Sequence, residues 1–250
     1  MSPIDWVALG LAGACVVSMG VFGAVGGARV RDPDVARRSR TVLLGFWVRD
    51  WLIWTVGPWE RALVRGRVSP LLFNLAGVAC GLAAGIAYAS GALSAAGWLV
   101  LLGGLCDVLD GRIARARGVA SRRGAFLDST LDRFAETFAF MGLSLYFAGS
   151  RLACLATLGA LGGSLLVSYA RARGEAHGVS QSGGVMQRAE RLVVLALSSL
   201  LDPPVVAALG WPPGSLLAIA VGLIAVGSIG TAIYRTVAIA RVLRERDPGS

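Results

Sequence analysis

The chain has 250 residues, 55% of them hydrophobic and only 16% charged, with a formal net charge of +9. Soluble domains carry roughly 25% charged residues, so a water-soluble globule is excluded, as are a secreted disulfide scaffold and a disordered tail. All 24 basic residues are arginines, gathered between apolar runs rather than on a nucleic-acid-binding motif, so no nucleic-acid partner is expected.

Seven apolar runs are long enough to cross a bilayer, which takes about 20 residues. They predict an all-α integral membrane protein: a six-helix transmembrane core, an extra N-terminal transmembrane helix and an interfacial amphipathic helix. The extra helix occupies 6–27, within an N-terminal segment 1–28. Its length, the acidic flank at Asp5 and the lack of a basic start favour a retained helix over a signal peptide. An arginine-rich stretch, 29–40, follows. Residues 46–67 then mix Trp47, Trp51, Trp54 and Trp59 with Arg49, Asp50, Glu60, Arg61 and Arg65. Tryptophan favours the bilayer interface, and arginine can lay its stem on apolar surface with its head in water. Residues 29–68 are therefore expected to form a basic linker and a surface-lying helix.

The core, 69–243, is expected to contain helices over 69–90, 92–116, 122–149, 152–173, 186–201 and 213–242. A turn is expected over 202–213 and a solvated polar tail over 244–250. Connections near 91–96 and 149–152 carry at most Arg151, whereas those around 112–123 and 171–191 are rich in arginine. Arginine excess marks the cytoplasmic side, which places both core ends inside and the first residue outside. In the first core helix Gly77, Gly81 and Gly85 recur every four residues. Such a stripe suits close helix packing, the expected use, or a lipid-tail groove. Cys15, Cys80, Cys106 and Cys154 lie in apolar runs with no CxxC pair, and read as small core residues.

Intramembrane acids are costly and therefore functional candidates. Four of the 15 acidic residues fall together as Asp107, Asp110, Asp128 and Asp132. Asp107 and Asp110 are neighbours on a helix face, which Gly111 and Ala114 continue; Gly124, Asp128 and Asp132 line up every four residues on the next helix. A short turn brings the two helices antiparallel, so the four carboxylates converge near a cytoplasmic mouth. They would repel one another unless cations sat among them, and an all-oxygen donor set favours Mg²⁺ or Mn²⁺ over zinc. Two such ions can clamp a phosphate. Gly111, Ala114 and Gly124 leave room for a bulky ligand, and Arg115 offers paired donors to phosphate oxygens. This pattern points to phosphoryl transfer at a membrane surface.

The motif Asp107-x2-Asp110-Gly111-x2-Ala114-Arg115-x8-Gly124-x3-Asp128-x3-Asp132 resembles the signature of the CDP-alcohol phosphotransferases. The resemblance spans about 69–242, and it implies a homodimer that binds two divalent cations. It also implies cleavage of a CDP-alcohol such as CDP-diacylglycerol, CMP release and a new phosphodiester on an acceptor alcohol. By the same resemblance Asp107 and Asp128 bridge both metals, Asp110 completes one site and Asp132 the other. Asp132 is also the implied general base. Gly111, Arg115 and Ser121 would hold the nucleotide, Ala114 and Gly124 would pack against it, and Asn74 would lie beside it. Family members often carry Asn and Thr where this chain has Leu71 and Asn74.

A second segment, with Ser168, Tyr169, Arg171, Arg173 and Glu175, then Gln187, Arg188, Glu190 and Arg191, is similar to one in bacterial phosphatidylinositol-phosphate synthases. There basic side chains receive the acceptor's phosphate, for which guanidinium groups suit by bidentate pairing. Arg171 stands where lysine is frequent and Gln187 where glutamate is. The implied function is transfer of a phosphatidyl group to a small polar alcohol such as inositol phosphate, at the cytoplasmic face of the membrane. The alternatives are a phosphatidylglycerophosphate-type synthase using glycerol 3-phosphate and a catalytically silent scaffold on the same fold. Glu136 continues the Asp128–Asp132 stripe, either supporting a metal ligand or pairing with a nearby arginine or serine.

Overall fold

The computed structural model describes residues 3–25, 46–181 and 183–246. Among them the chain forms eight helices and no strand: α1 (Pro3–Ala24), α2 (Phe46–Arg65), α3 (Pro70–Ala89), α4 (Leu93–Ala116), α5 (Arg122–Tyr146), α6 (Arg151–Ala176), α7 (Arg188–Leu209) and α8 (Ser215–Arg246). The arginine-rich stretch 29–40 and the last residues of the predicted first helix lie outside the described residues.

Five helices, α3, α4, α6, α7 and α8, are long and apolar enough to cross a membrane. The expected count of six plus one is therefore not met on composition alone. In α1 the apolar segment is Gly13–Ala24. α5 falls short because it carries Arg122, Arg123, Asp128, Asp132, Arg133 and Glu136; the first two are exposed at its start, and the other four are turned at least partly into the bundle. The outer faces answer to lipid. Leu152 and Leu155 on α6, and Ile219, Leu223 and Val226 on α8, are all exposed, and a contiguous apolar surface of that kind belongs in a bilayer.

Close backbone contact sets the arrangement. Gly81 and Gly85 of α3 lie against the α5 backbone at Ala135 and Phe138, and Gly142 of α5 lies against the carbonyl of Gly85. A β-carbon at any of the three would collide with main chain. Gly77, one turn earlier, faces Gly103 and Cys106 of α4 instead. The glycine stripe thus packs helices, as expected, but serves two neighbours. Ala84, Tyr88, Phe140, Leu143, Leu195 and Ile224 form the centre of the main core, where the Tyr88 and Ser199 hydroxyls are hydrogen bonded at 2.6 Å.

Two boundaries differ from the sequence expectation. α7 does not stop near residue 201 but continues through Pro203 and Pro204 to Leu209, where Gly210 closes it in the left-handed conformation (φ 67°). The predicted turn over 202–213 therefore shortens to 210–214. Just before the prolines Asp202 is fully buried: its Oδ2 accepts the Gly214 amide at 2.8 Å and its Oδ1 the Leu217 amide at 3.1 Å, capping α8 from a neighbouring helix. At the other end α8 runs to Arg246, so the expected tail from 244 begins inside a helix; 247–250 lie outside the described residues. All four cysteines are free, and Cys15 is exposed rather than a core residue.

α1 and α2 pack together. Phe22 is buried between Trp47 and Trp54, with ring centroids 5.7 and 5.6 Å away, and the Trp51 indole donates to Ser18 at 3.2 Å. α2 also lies across the C-terminal part of α4, where Val56 meets Leu109 and Ile113, and Glu60 accepts from Arg112 Nε at 2.6 Å. Its Trp54 and Trp59 stay exposed.

Candidate active site

The acids come from one helical hairpin. α4 ends at Ala116, and just beyond it Gly118 adopts φ 65° so that the Gly118 and Val119 amides return to the Arg115 and Ala114 carbonyls. Three residues later Ser121 caps α5, its hydroxyl accepting the Gly124 amide at 3.1 Å. This tight connection sets Asp107 and Asp110 opposite Asp128 and Asp132. One carboxylate oxygen from each of Asp107, Asp110 and Asp128 lies within 4.8 Å of the others.

Asp132 is not in that group of three. Its Oδ2 stands 2.6 Å from Nη1 of Arg188, and the same nitrogen is 2.8 Å from Asp107 Oδ2. Arg188 opens α7, where the Gln187 amide donates to Glu190 at 2.8 Å. That start turns Arg188 and Arg191, three residues apart, onto the face towards α4 and α5. Arg191 sits one turn deeper and is 1% exposed. It donates to Glu136 through Nε (2.9 Å) and Nη2 (3.3 Å), and to the Met186 carbonyl through Nη1 (3.2 Å). Of the two readings of Glu136, arginine pairing is what the structure holds.

Asp110 is the least satisfied group in this region. It is 2% exposed, yet neither carboxylate oxygen has a hydrogen-bond partner, and Oδ1 of Asp128 is likewise buried and unpartnered. An ionised carboxylate buried without donors is costly, and a hard divalent cation supplies the missing partner for several oxygens together. The residues present therefore fit such an ion.

Behind the acids a cavity of about 40 Å³ reaches between α3, α4, α5 and α7, past Asn74, Gly77, Gly103 and Leu192. It has room for a water or two and none for a nucleotide, which leaves only the open side of the acids for a larger ligand. There lie Gly111, Arg115, Ser121 and Gly124. The Arg115 guanidinium folds over Gly111, 3.2 Å from where a β-carbon would stand. Ala114 is half-buried on the same face. Asn74 lines the cavity and donates weakly to the Pro70 carbonyl at 3.4 Å.

The residues expected at an acceptor pocket separate. Arg188 touches the acids, and Arg191 is enclosed with Glu136. Arg171 is exposed on α6 and pairs with Glu175 at 2.8 Å; Arg173 is exposed and Ser168 half-buried on the same helix. Sequence reasoning groups the four arginines without ranking them. The signal that sets Arg188 apart, a helix start aimed at two aspartates of another hairpin, exists only in three dimensions.

Known proteins resemble this chain in sequence and in fold. Residues 67–229 match the family model described as CDP-alcohol phosphatidyltransferase. A phosphatidylinositol phosphate synthase of Streptomyces avermitilis is 35% identical over 226 residues, covering 88% of this chain and 90% of that protein. The crystal structure of Mycobacterium tuberculosis phosphatidylinositol phosphate synthase with CDP-DAG bound is similar at a TM-score of 0.64 and 32% identity, over 73% of this chain and 92% of that one. The same enzyme in complex with manganese and citrate is similar at 0.65 and 33%, over 73% and 88%.

Proposed function

The chain belongs to the CDP-alcohol phosphatidyltransferase family, and on that footing we propose that it makes phosphatidylinositol phosphate. In this reading it transfers the phosphatidyl group of CDP-diacylglycerol to inositol phosphate and releases CMP. It is a CDP-alcohol phosphotransferase and an integral membrane protein. The arginine-rich connections on the acidic side support a cytoplasmic active site. The exposed tryptophans of α2 support a helix lying at the interface, and a homodimer is proposed from family resemblance. The observation that carries the function is the buried, unpartnered Asp110 carboxylate facing Asp107 and Asp128.

Asp107 and Asp128 would hold two divalent cations in common, with Asp110 completing one site and Asp132 the other. The ions, Mg²⁺ or Mn²⁺, would supply Lewis-acid charge on the diphosphate oxygens. Asp132 would take the proton of the acceptor hydroxyl as its oxygen attacks the phosphorus that bears diacylglycerol. The bond from that phosphorus to the bridging diphosphate oxygen breaks, and CMP carries that oxygen away. Gly111, Arg115 and Ser121 would hold the nucleotide on the open side, with Ala114 and Gly124 packed against it and Asn74 alongside. Ser168, Arg171, Arg173 and Arg188 would receive the acceptor, with Arg191 holding the floor of the pocket through Glu136.

The test is CMP release from CDP-diacylglycerol by the purified protein with Mg²⁺, against inositol 1-phosphate, inositol, glycerol 3-phosphate and serine, with and without a chelator. CMP with inositol 1-phosphate alone, abolished by the chelator, is expected. Turnover with glycerol 3-phosphate instead would move the chain to the phosphatidylglycerophosphate-type activity. Folded, metal-binding protein that releases no CMP with any of these acceptors would leave the silent scaffold.

A further inference from the structure

The two halves of the acidic cluster are unequal. On one side Asp110 has both oxygens buried and unpartnered, and Asp128 has one. On the other side a single guanidinium nitrogen already bridges Asp132 and Asp107, at 2.6 and 2.8 Å. A divalent cation among Asp107, Asp110 and Asp128 meets Arg188 only at Asp107 and takes up the unpartnered oxygens of Asp110 and Asp128. A second cation that needs Asp132 must contend with Arg188 for the same oxygens, and at a few ångströms it is also repelled by that positive charge.

We infer that Arg188 is a built-in counter-cation that keeps the Asp132 half of the cluster from a second divalent ion until an anionic acceptor draws its guanidinium away. This rests on the metal-binding reading given above. The ligand chemistry follows from the guanidinium itself. Charge-assisted, paired hydrogen bonds to phosphate oxygens are stronger than those to neutral hydroxyls, so a phosphorylated alcohol can claim Arg188 and an uncharged polyol cannot. Binding of the second ion and of the acceptor's phosphate are then linked, each favouring the other by the same factor. Selection of a phosphorylated acceptor would operate through the metal site as well as through direct contact.

The linkage is measurable without turnover. The full-length protein in detergent is titrated with Mn²⁺ and the free ion is followed by electron paramagnetic resonance, for wild type, Arg188→Gln and Arg188→Lys. Each is run in excess sulfate and in chloride of equal ionic strength. Wild type is expected to show a tighter and a weaker class. Arg188→Gln should tighten the weaker class about tenfold, within the roughly 5- to 150-fold usual for coupled sites, and leave the tighter one in place. Arg188→Lys should stay near wild type. Sulfate should tighten the weaker class in wild type and have no effect in Arg188→Gln. A weaker class unchanged or weakened in Arg188→Gln overturns the inference while leaving the metal site standing. Sulfate that does nothing to wild type overturns it equally, and that result needs no variant to fold. Absence of Mn²⁺ binding in folded wild type would overturn the metal reading and this inference together.

Discussion

Two aspartates buried in the same bundle have opposite surroundings. Asp202, on α7, is fully buried, and both of its oxygens receive backbone amides from the start of α8. Asp110, on α4, is 2% exposed and its oxygens receive none. Each carboxylate costs free energy to remove from water. In the first case the fold returns the lost hydrogen bonds and the residue acts as a structural cap. In the second the fold leaves the deficit open, which is the condition a cation satisfies. Satisfaction, rather than burial or charge, separates the structural acid from the one proposed to hold a cation. Glu136 falls on the structural side, matched by Arg191.

The contrast is broken most forcefully at Asp110. Asp110→Asn should lower CMP release by about a thousandfold or more, several kcal/mol of transition-state stabilisation, while the thermal unfolding midpoint stays level or rises. A fall in the midpoint with activity retained would make Asp110 structural after all. Next in size, Glu136→Ala leaves Arg191 charged and unmatched in the interior, at a cost of about 3–5 kcal/mol. Pairing Glu136→Leu with Arg191→Met should recover most of that in the same unfolding experiment. Asp202→Ala comes third, with a loss of about 1–2 kcal/mol from the missing cap, and turnover per folded molecule close to wild type. Smallest is Arg171→Ala. Losing its exposed pair with Glu175 should shift stability by no more than about 0.5 kcal/mol, whereas the KM for inositol 1-phosphate should rise. An unmoved KM would take Arg171 out of the acceptor pocket.

Much of the site is legible in the sequence alone. The spacing from Asp107 to Asp132 carries its own geometry, because helical periodicity turns intervals of three and four into shared faces. The short turn between the two helices is legible as well, although the parts Gly118 and Ser121 play in it are not. What sequence does not disclose is whatever distant partners decide. Pro203 and Pro204 argue locally for a helix end, yet α7 continues past them to Leu209, with Asp202 just before them capping α8. The glycine stripe foretells close packing, but not that Gly81 and Gly85 meet α5 while Gly77 meets α4. Arg171, Arg173, Arg188 and Arg191 look alike in sequence; only the approach of α7 to the α4–α5 hairpin distinguishes the one that reaches two aspartates from the one sealed against Glu136. α5 itself reads as a span by its position, while its composition reflects a helix whose polar side faces protein.

The cap at Asp202 has a mechanical consequence for the opposite end of α7. From Arg188 to Asp202 the helix climbs roughly 21 Å at 1.5 Å per residue. Asp202 holds it to the start of α8, with two prolines immediately beyond, where helices bend most readily. α7 is thereby held at two points, to α8 by Asp202 and to α5 by the Arg191–Glu136 pair one turn from Arg188. A tilt of about 5° about Asp202 alone would carry Arg188 close to 2 Å over that length, and the Arg191–Glu136 pair is what resists it.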